Sequence, residues 1–369
     1  SFFILHEGAI AVSEEQGLEE ISYKDLLKQG NEAGGFTKRE QQGGWIGLTD
    51  KYWAAALLPP QDEQIRTRLG HVQKEAVIDY SLQGKTIAAG EQIEITQHYF
   101  AGAKEVGLID HYKKDLEIHR FDLLIDWGWF YFLTKPLFLV IDMLYGIFGN
   151  FGVAILMMTI LIKLLFFPLA NKSYVAMGRM KKLQPRIAEI TKTHKDNPQA
   201  KQLAIMALYK QEKVNPLAGC LPVLIQIPVF FALYKVLFVT IEMRHQPFFG
   251  WIHDLSAPDP TNIFTLFGLL PISLPAFLTI GIWPICMGFT MFVQMQMNPA
   301  PPDPIQKRIF FWMPIVFTFV LAGFPAGLVI YWTWNNMLSV LQQGVIMRRQ
   351  GVRIELWDNL FSRKKNDQD

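Results

Sequence analysis

The chain has 369 residues; 50% are apolar, 13% aromatic and only 18% charged, with a formal net charge of +2. Soluble domains carry about 25% charged residues, and so small a net charge excludes DNA binding as the organising function. The two cysteines, Cys220 and Cys286, lie in apolar runs and fit neither a disulfide framework nor a metal spacing.

The apolar excess begins after Asp126, so the N-terminal part reads as soluble and the rest as membrane-embedded. Residues 1–120 read as a β-rich domain. Gln92–Tyr99 alternates, placing Ile93, Ile95 and Tyr99 on one face, and His71–Ser81 reads similarly. Gly43-Gly44 and Pro59-Pro60 punctuate the stretch before them. Ala103–Leu116 predicts a helix leading out of the sheet. No apolar run long enough to span a membrane precedes this domain, so an anchor or signal is expected ahead of Ser1 in the whole protein.

Residues 126–149 are rich in Trp, Tyr and Phe and interrupted by Lys135-Pro136. An amphipathic helix in the headgroup layer fits this pattern better than a span. Residues 150–348 then hold five candidate spans, each near the ~20 residues a bilayer needs: Phe151–Ala170, Leu217–Val239, Ala276–Met297, Arg308–Phe324 and Gly327–Met347.

Charge sets the orientation. Asn171–Pro216 carries ten Lys or Arg against three acids, a net of +7. The short loop with Lys307 and Arg308 and the tail 349–369 are basic too, whereas Ile241–Asn262 holds Arg244 against Glu242, Asp254 and Asp259. The positive-inside rule puts the basic segments in the cytoplasm and the β domain outside. Within 172–213, Met177, Met180, Leu183, Ile187 and Ile190 repeat at helical spacing. Asn197 is an N-cap candidate for a second helix, with Leu203, Met206 and Leu208 continuing the apolar pattern. This predicts a basic cytoplasmic helical hairpin, suited to RNA of a ribosome or to lipid headgroups.

Lys163 is the sharpest feature of the spans. Along a straight helix it lies roughly 13 Å inside the boundary set by Lys172, where an isolated charge costs at least about 2.5 kcal/mol. No acidic residue occurs in the predicted spans to pair with it. Thr159 is one turn away, and Gln226, Asn335 and Asn336 are further polar groups in the spans. These could line a hydrophilic groove, or simply join helices by hydrogen bonds. No nucleophile–base pair, metal motif or cofactor site is present. Gly84-Lys85-Thr86 mimics the end of a phosphate loop, but Asp79 stands where the first glycine is required. The reading is a non-enzyme.

From Asp126 onward the sequence resembles the YidC/Oxa/Alb family of membrane insertases. The resemblance is carried by Tyr209–Pro228, Trp251-Ile-His-Asp-Leu-Ser256, Asp303-Pro304 with Gln306-Lys307, and Phe324–Trp332. It implies an α-helical integral membrane protein with a five-helix core, an interfacial helix, a cytoplasmic hairpin and part of a periplasmic β-sandwich domain. It implies multi-pass residence in the bacterial inner membrane and a groove bearing one cation, here Lys163 where most bacterial members have Arg. Thr159, Gln226, Tyr331, Trp332 and Asn336 are implied groove positions, and Ile227, Val229, Phe230 and Phe317 an apolar slide. The implied partners are nascent membrane proteins, the ribosome, the Sec translocon and membrane lipids, with no cofactor. An apolar insertion, Ile263–Pro275, is expected at the periplasmic interface. A transporter or channel is the alternative, but it would predict inverted repeats or an ion ring, and the spans carry neither. A folding chaperone that does not itself insert is a third reading.

Overall fold

The computed structural model describes residues 5–29, 36–195, 197–215, 221–265, 279–298 and 304–351. It divides into two compact units, one of residues 1–135 with 238–244 and one of residues 136–237 with 245–369.

The first unit is a β-sandwich. β1 (Gly8–Ser13), β2 (Gly17–Ser22), β4 (Trp45–Thr49), β5 (Trp53–Leu58) and β8 (His98–Ala103) form an antiparallel sheet in the order β2-β1-β4-β5-β8. β3 (Phe36–Gln42), β6 (Gln64–Val72) and β7 (Glu75–Leu82) form a second sheet in the order β3-β6-β7. Ala9, Ala11, Ile21, Ile46 and Leu69 meet between them, with Leu26 of the short helix α1 (Tyr23–Gln29). Gly43 and Gly44 adopt φ of +54° and +76° between β3 and β4. A Cβ at Gly44 would strike the Val12 carbonyl. Gln61 fastens this corner: its Oε1 accepts from Gly44 N at 3.1 Å and its Nε2 donates to Gly44 O at 2.9 Å.

The predicted helix within Ala103–Leu116 is α2 (Val106–Asp115). Its first N–H groups lack a side-chain cap at Glu105, and Glu242 Oε1 supplies one, accepting from Val106 N at 2.7 Å. Beyond α2, a 3₁₀ turn over Phe121–Leu124 carries Asp122, which is 3% exposed. Its carboxylate meets Lys113 at 2.7 Å and Lys135 at 3.2 Å, accepts from the Tyr131 hydroxyl, and shares Lys135 with Asp110.

Two strand expectations are corrected. Gln92–Tyr99 is strand only from His98; Ile93 and Ile95 are exposed, because the alternation there meets no partner strand among the described residues. His71–Ser81 is not continuous, because Gln73 and Lys74 adopt positive φ and turn the chain from β6 into β7.

The second unit is helical. α3 (Tyr131–Phe148) begins in the first unit and runs unbroken through Lys135-Pro136; Pro136 falls in the second turn, where few helix bonds are at stake. By length and composition α3 would also suffice to cross a membrane. α4 (Phe151–Leu165) is capped by Asn150, whose side chain accepts from Val153 N at 3.0 Å. The first expected span, Phe151–Ala170, is corrected here. The helix ends at Leu165, and α5 (Phe167–Lys182) leaves at 69°. Pro168, at the start of α5, lacks the N–H that would bond back to Leu164 and so favours a new helix start.

The hairpin has three helices rather than two: α5, α6 (Gln184–Thr193, with Pro185 in its first turn) and α7 (Pro198–Gln211). Asn197 caps α7, accepting from Ala200 N at 3.0 Å. Tyr174, Met177, Met180, Leu183 and Ile187 bury against Ile205 and Leu208. Leu203 and Met206, expected in the apolar pattern, are 70% and 61% exposed because they share the opposite face of α7.

α8 (Leu221–Val239), α9 (Ile282–Met297), α10 (Pro304–Leu321) and α11 (Ala326–Arg349) complete the unit. The starts expected at Leu217 and Ala276 lie outside the described residues, and Thr279–Gly281 are not helical. So do Cys220, most of the insertion Ile263–Pro275, and tail residues Arg353, Arg363, Lys364 and Lys365; Ile263–Thr265 form a 3₁₀ turn and Cys286 is a free thiol. α9 packs on α10 through Gly288, where a Cβ would strike the Thr318 side chain.

The segment 251–261 positions α9 and α11. Asp259 Oδ2 accepts from Trp283 N at 2.9 Å, and Thr261 Oγ1 accepts from Ile282 N at 3.0 Å, capping α9. The carbonyls of Ala257 and Leu255 accept from Ala326 N at 2.7 Å and Gly327 N at 2.9 Å, capping α11. Ile252 and Leu255 are buried beneath.

Gly44→Ala is expected to lower the unfolding midpoint of the first unit by the equivalent of about 1–3 kcal/mol. Denaturation followed by circular dichroism checks this; an unchanged midpoint would remove the conformational requirement. Burial alone would raise the Asp122 carboxyl, but the Lys113 and Tyr131 hydrogen bonds and the Lys135 charge outweigh it and hold it at about 2. A folded value depressed below the unfolded 3.8 contributes stability above that pH, which is lost as pH falls through the folded value. The wild type should therefore lose roughly 2 kcal/mol between about pH 4 and pH 2 that Asp122→Asn does not lose. Parallel pH titrations of unfolding free energy would decide it.

Candidate functional site

Lys163 lies in the last turn of α4, two residues before the elbow. Its depth is less than a straight helix gives. Beyond Phe166 the chain runs at 69° to α4, so those residues add only about a third of their rise along its axis. The distance to the Lys172 level becomes roughly 8 Å. The position also places the ammonium at the negative end of the α4 dipole.

The ammonium donates to Ser339 Oγ of α11 at 2.6 Å. Ser339 Oγ in turn donates to the Asn335 carbonyl at 2.8 Å, and the Tyr174 hydroxyl shares the same oxygen. Helices α4, α8, α9, α10 and α11 contain no Asp or Glu. The charge therefore has a hydrogen-bond partner in Ser339 but no counter-charge from these helices.

Two cavities meet at Lys163. The smaller, about 40 Å³, is bounded by Lys163, Phe166, Tyr174, Gln226 and Val229. The larger, about 600 Å³, lies between the α4–α5 elbow and α11. Gln226 donates to the Tyr331 hydroxyl, so the α8 and α11 polar groups are joined beside the smaller cavity. Tyr331 is 2% exposed.

The other expected groove residues sit elsewhere. Thr159 is 1% exposed and spends its hydroxyl on the Ile155 carbonyl of its own helix at 2.7 Å, so it lines neither cavity. Asn336 points to α9, donating to Thr290 Oγ1 at 3.3 Å. Trp332 meets two rings edge-on, with centroids 4.6 Å from Phe230 and 5.6 Å from Phe317. Of the expected slide, Ile227 is exposed, Phe230 and Phe317 are half-buried against Trp332, and Val229 is buried in the smaller cavity's wall. The outward faces belong to Ile227 with Leu224 and Phe231 on α8, and to Phe311, Ile315 and Phe319 among others on α10.

Sequence reading missed Ser339 and Tyr174, which share the hydroxyl cluster at Lys163, and Lys235, buried on α8. A signal for Ser339 exists. Tyr331, Asn335, Ser339 and Gln342 recur every three or four residues and form one polar stripe along α11. Lys235 sits four residues from the end of α8, where a long stem reads as an ordinary terminal lysine.

The family model described as 60Kd inner membrane protein matches residues 143–352, and that described as YidC periplasmic domain matches residues 1–140. Proteins called membrane protein insertase YidC are similar along nearly the whole chain. That of Sinorhizobium medicae is 58% identical over 99% of this chain and 61% of its own length. That of Brucella suis is 59% identical over 99% and 60%, and that of Agrobacterium fabrum 57% over 98% and 61%. The chain thus spans about three-fifths of the length of the curated relatives it matches. A crystal structure described as an active YidC insertase with the first transmembrane domain resolved is similar at 18% identity and a TM-score of 0.47, over 91% of this chain and 82% of that one. With more than half of its residues inside the first of these models, the chain belongs to the family of the 60Kd inner membrane protein, and it carries a YidC periplasmic domain ahead of that core.

Proposed function

We propose that this chain inserts nascent membrane proteins into the bacterial inner membrane, using Lys163 to draw a hydrophilic, often acidic, segment part-way into the bilayer. The observation that carries this is a cation that donates to the Ser339 hydroxyl and has no ion-pair partner among the described residues, in helices without a carboxylate, at the junction of two cavities. A lysine already paired with Asp or Glu would be neutralised; one held by Ser339 keeps its attraction for an incoming carboxylate.

On this reading α4, α8, α9, α10 and α11 are the spans, and α3 lies at the outer interface. The β-sandwich is periplasmic, while the hairpin and the Arg349 end of α11 are cytoplasmic. The groove is the smaller cavity with Lys163, Gln226 and Tyr331, lying beside Trp332; Thr159 and Asn336 lie outside it, Asn336 tying α11 to α9. The incoming apolar segment slides along Ile227, Phe230 and Phe317, and its burial in lipid at about 25 cal/mol per Å² drives release without a cofactor. Exposed Lys172, Arg179, Lys182, Arg186, Lys192 and Lys210 on the hairpin suit the phosphates of a ribosome. Work beside the Sec translocon fits the same sidedness.

Reconstitution into liposomes tests the reading, with insertion of a single-spanning substrate bearing a short acidic tail read by protease protection. Lys163→Ala is expected to cut insertion of that substrate about tenfold, equivalent to ~1.4 kcal/mol, and Lys163→Arg to retain it. A substrate with an uncharged tail should lose much less. Equal insertion of the acidic substrate by wild type and Lys163→Ala would sink the role of the charge. No protection above empty liposomes would instead turn attention to solute flux.

A further inference from the structure

The larger cavity adjoins Lys163 but faces away from Gln226. It is a cleft between two helix faces at three-to-four-residue spacing: Ile160, Leu164 and Phe167 on one side, and Leu338, Leu341 and Val345 on the other. It exists because the chain turns by 69° after Leu165 and carries α5 away from α11's line. Its polar groups are not scattered. Arg349, Gln350 and Asn171 stand at the end where α11 stops, and Gln342 lies about two turns further in. Gln342 Nε2 is buried with no hydrogen-bond partner. At the inner end Lys163 presents its alkyl stem, its ammonium being held by Ser339.

We propose that this cleft holds one anionic phospholipid of the cytoplasmic leaflet. Its phosphate sits at Arg349 and Asn171, an ester carbonyl accepts from Gln342, and one acyl chain lies along Leu341, Leu338 and Leu164. The inference rests on the reading of α4 and α11 as spans with the Arg349 end cytoplasmic. Charge favours an anion, because the lining holds two cations and no carboxylate. Shape suits an alkyl chain: from Leu338 to Arg349 the cleft runs roughly 16 Å along α11, lined on both sides by apolar side chains with its polar groups gathered toward one end. Arg suits the phosphate, whose oxygens match its planar fork. The unpartnered Gln342 amide gains the acceptor that burial requires.

The test uses the full chain purified in detergent and phosphatidylglycerol carrying a photoactivatable group in its acyl chain. Crosslinked peptides are mapped by mass spectrometry, a readout independent of insertion activity. Labelling is expected on Leu338–Val345 and on 160–167, with a matched phosphatidylcholine probe about tenfold weaker. Arg349→Gln, at an exposed position, should weaken it about tenfold and Arg349→Lys restore part of it. Val345→Trp should abolish it by filling the cleft while circular dichroism is unchanged. Equal labelling by the two lipids, indifference to Arg349→Gln, or labels spread as strongly over outward Phe311 and Phe319 of α10 would overturn the proposal and leave only annular lipid. Cleft residues that crosslink a polypeptide and no lipid would overturn it in favour of a protein occupant. Lost lipid labelling with intact insertion would condemn this inference alone; lost insertion with intact labelling would condemn only the insertase reading.

Discussion

The helical unit is organised around a charge, Lys163, carried among five helices, α4 and α8 to α11, that contain no carboxylate to neutralise it. An ammonium among apolar side chains must be solvated by something, and here it donates to the Ser339 hydroxyl on α11, which Tyr174 of α5 shares, and it sits at the carbonyl end of α4. Each is a dipole rather than an ion. Dipoles lower the cost of holding the charge without cancelling its field, so the field still reaches into the cavities on either side. A buried ion pair would have given a better-satisfied lysine and a weaker site. The elbow matters for the same reason: it shortens α4, moves Lys163 toward the aqueous side and lowers the desolvation that the dipoles must offset.

α11 is the helix through which this arrangement is held together. Ser339 reaches Lys163, Tyr331 takes the Gln226 amide, and Asn336 reaches Thr290 of α9. Gln343 donates to the Met297 carbonyl and Asn298 side chain, and Trp334 Nε1 to the Leu156 carbonyl of α4 at 3.2 Å. Nearly every packed neighbour is thus joined to α11 by a polar contact as well as by apolar packing. In lipid, apolar packing alone discriminates poorly between helix partners, and such bonds fix register. The other end of α11 is fixed by the carbonyls of Leu255 and Ala257, so the whole helix is positioned from outside the proposed groove. α10 is the contrast: it leans on α9 through Gly288 and Thr318 and leaves Phe311, Ile315 and Phe319 uncovered.

What was legible in the sequence divides along physical lines. Asn197 as a cap, Gly43-Gly44 as a corner and the helix after Ala103 are local, written in a few consecutive residues, and the structure has them in place. Lys163 stood out because a charge in an apolar run is conspicuous wherever it points. Its partner did not, since a serine in a membrane helix reads as filler until a facing helix supplies the donor. For Thr159, helical periodicity gives a face shared with Lys163 and leaves groove and helix contact open, and the groove is what the family resemblance implies; its hydroxyl closes on Ile155 and the residue is buried. The 92–97 alternation failed for a related reason. A strand needs a partner with free backbone groups, and alternation by itself carries no information about that partner.

The overlap of site and scaffold on α11 has a consequence for how substitutions are read. Ser339, Tyr331 and Asn336 are all nearly fully buried, and each closes a bond between helices. Removing one of them leaves a buried donor or acceptor unpaired, which costs about 1–3 kcal/mol of packing energy before any effect on a substrate is felt. Lys163 differs, because it borders open volume on two sides and what is at stake there is the field of its ammonium as well as its fit. Charge-preserving and charge-removing replacements at that position separate the two contributions. At the α11 positions the same comparison mixes them, so a loss of function there speaks first to how the helices are held.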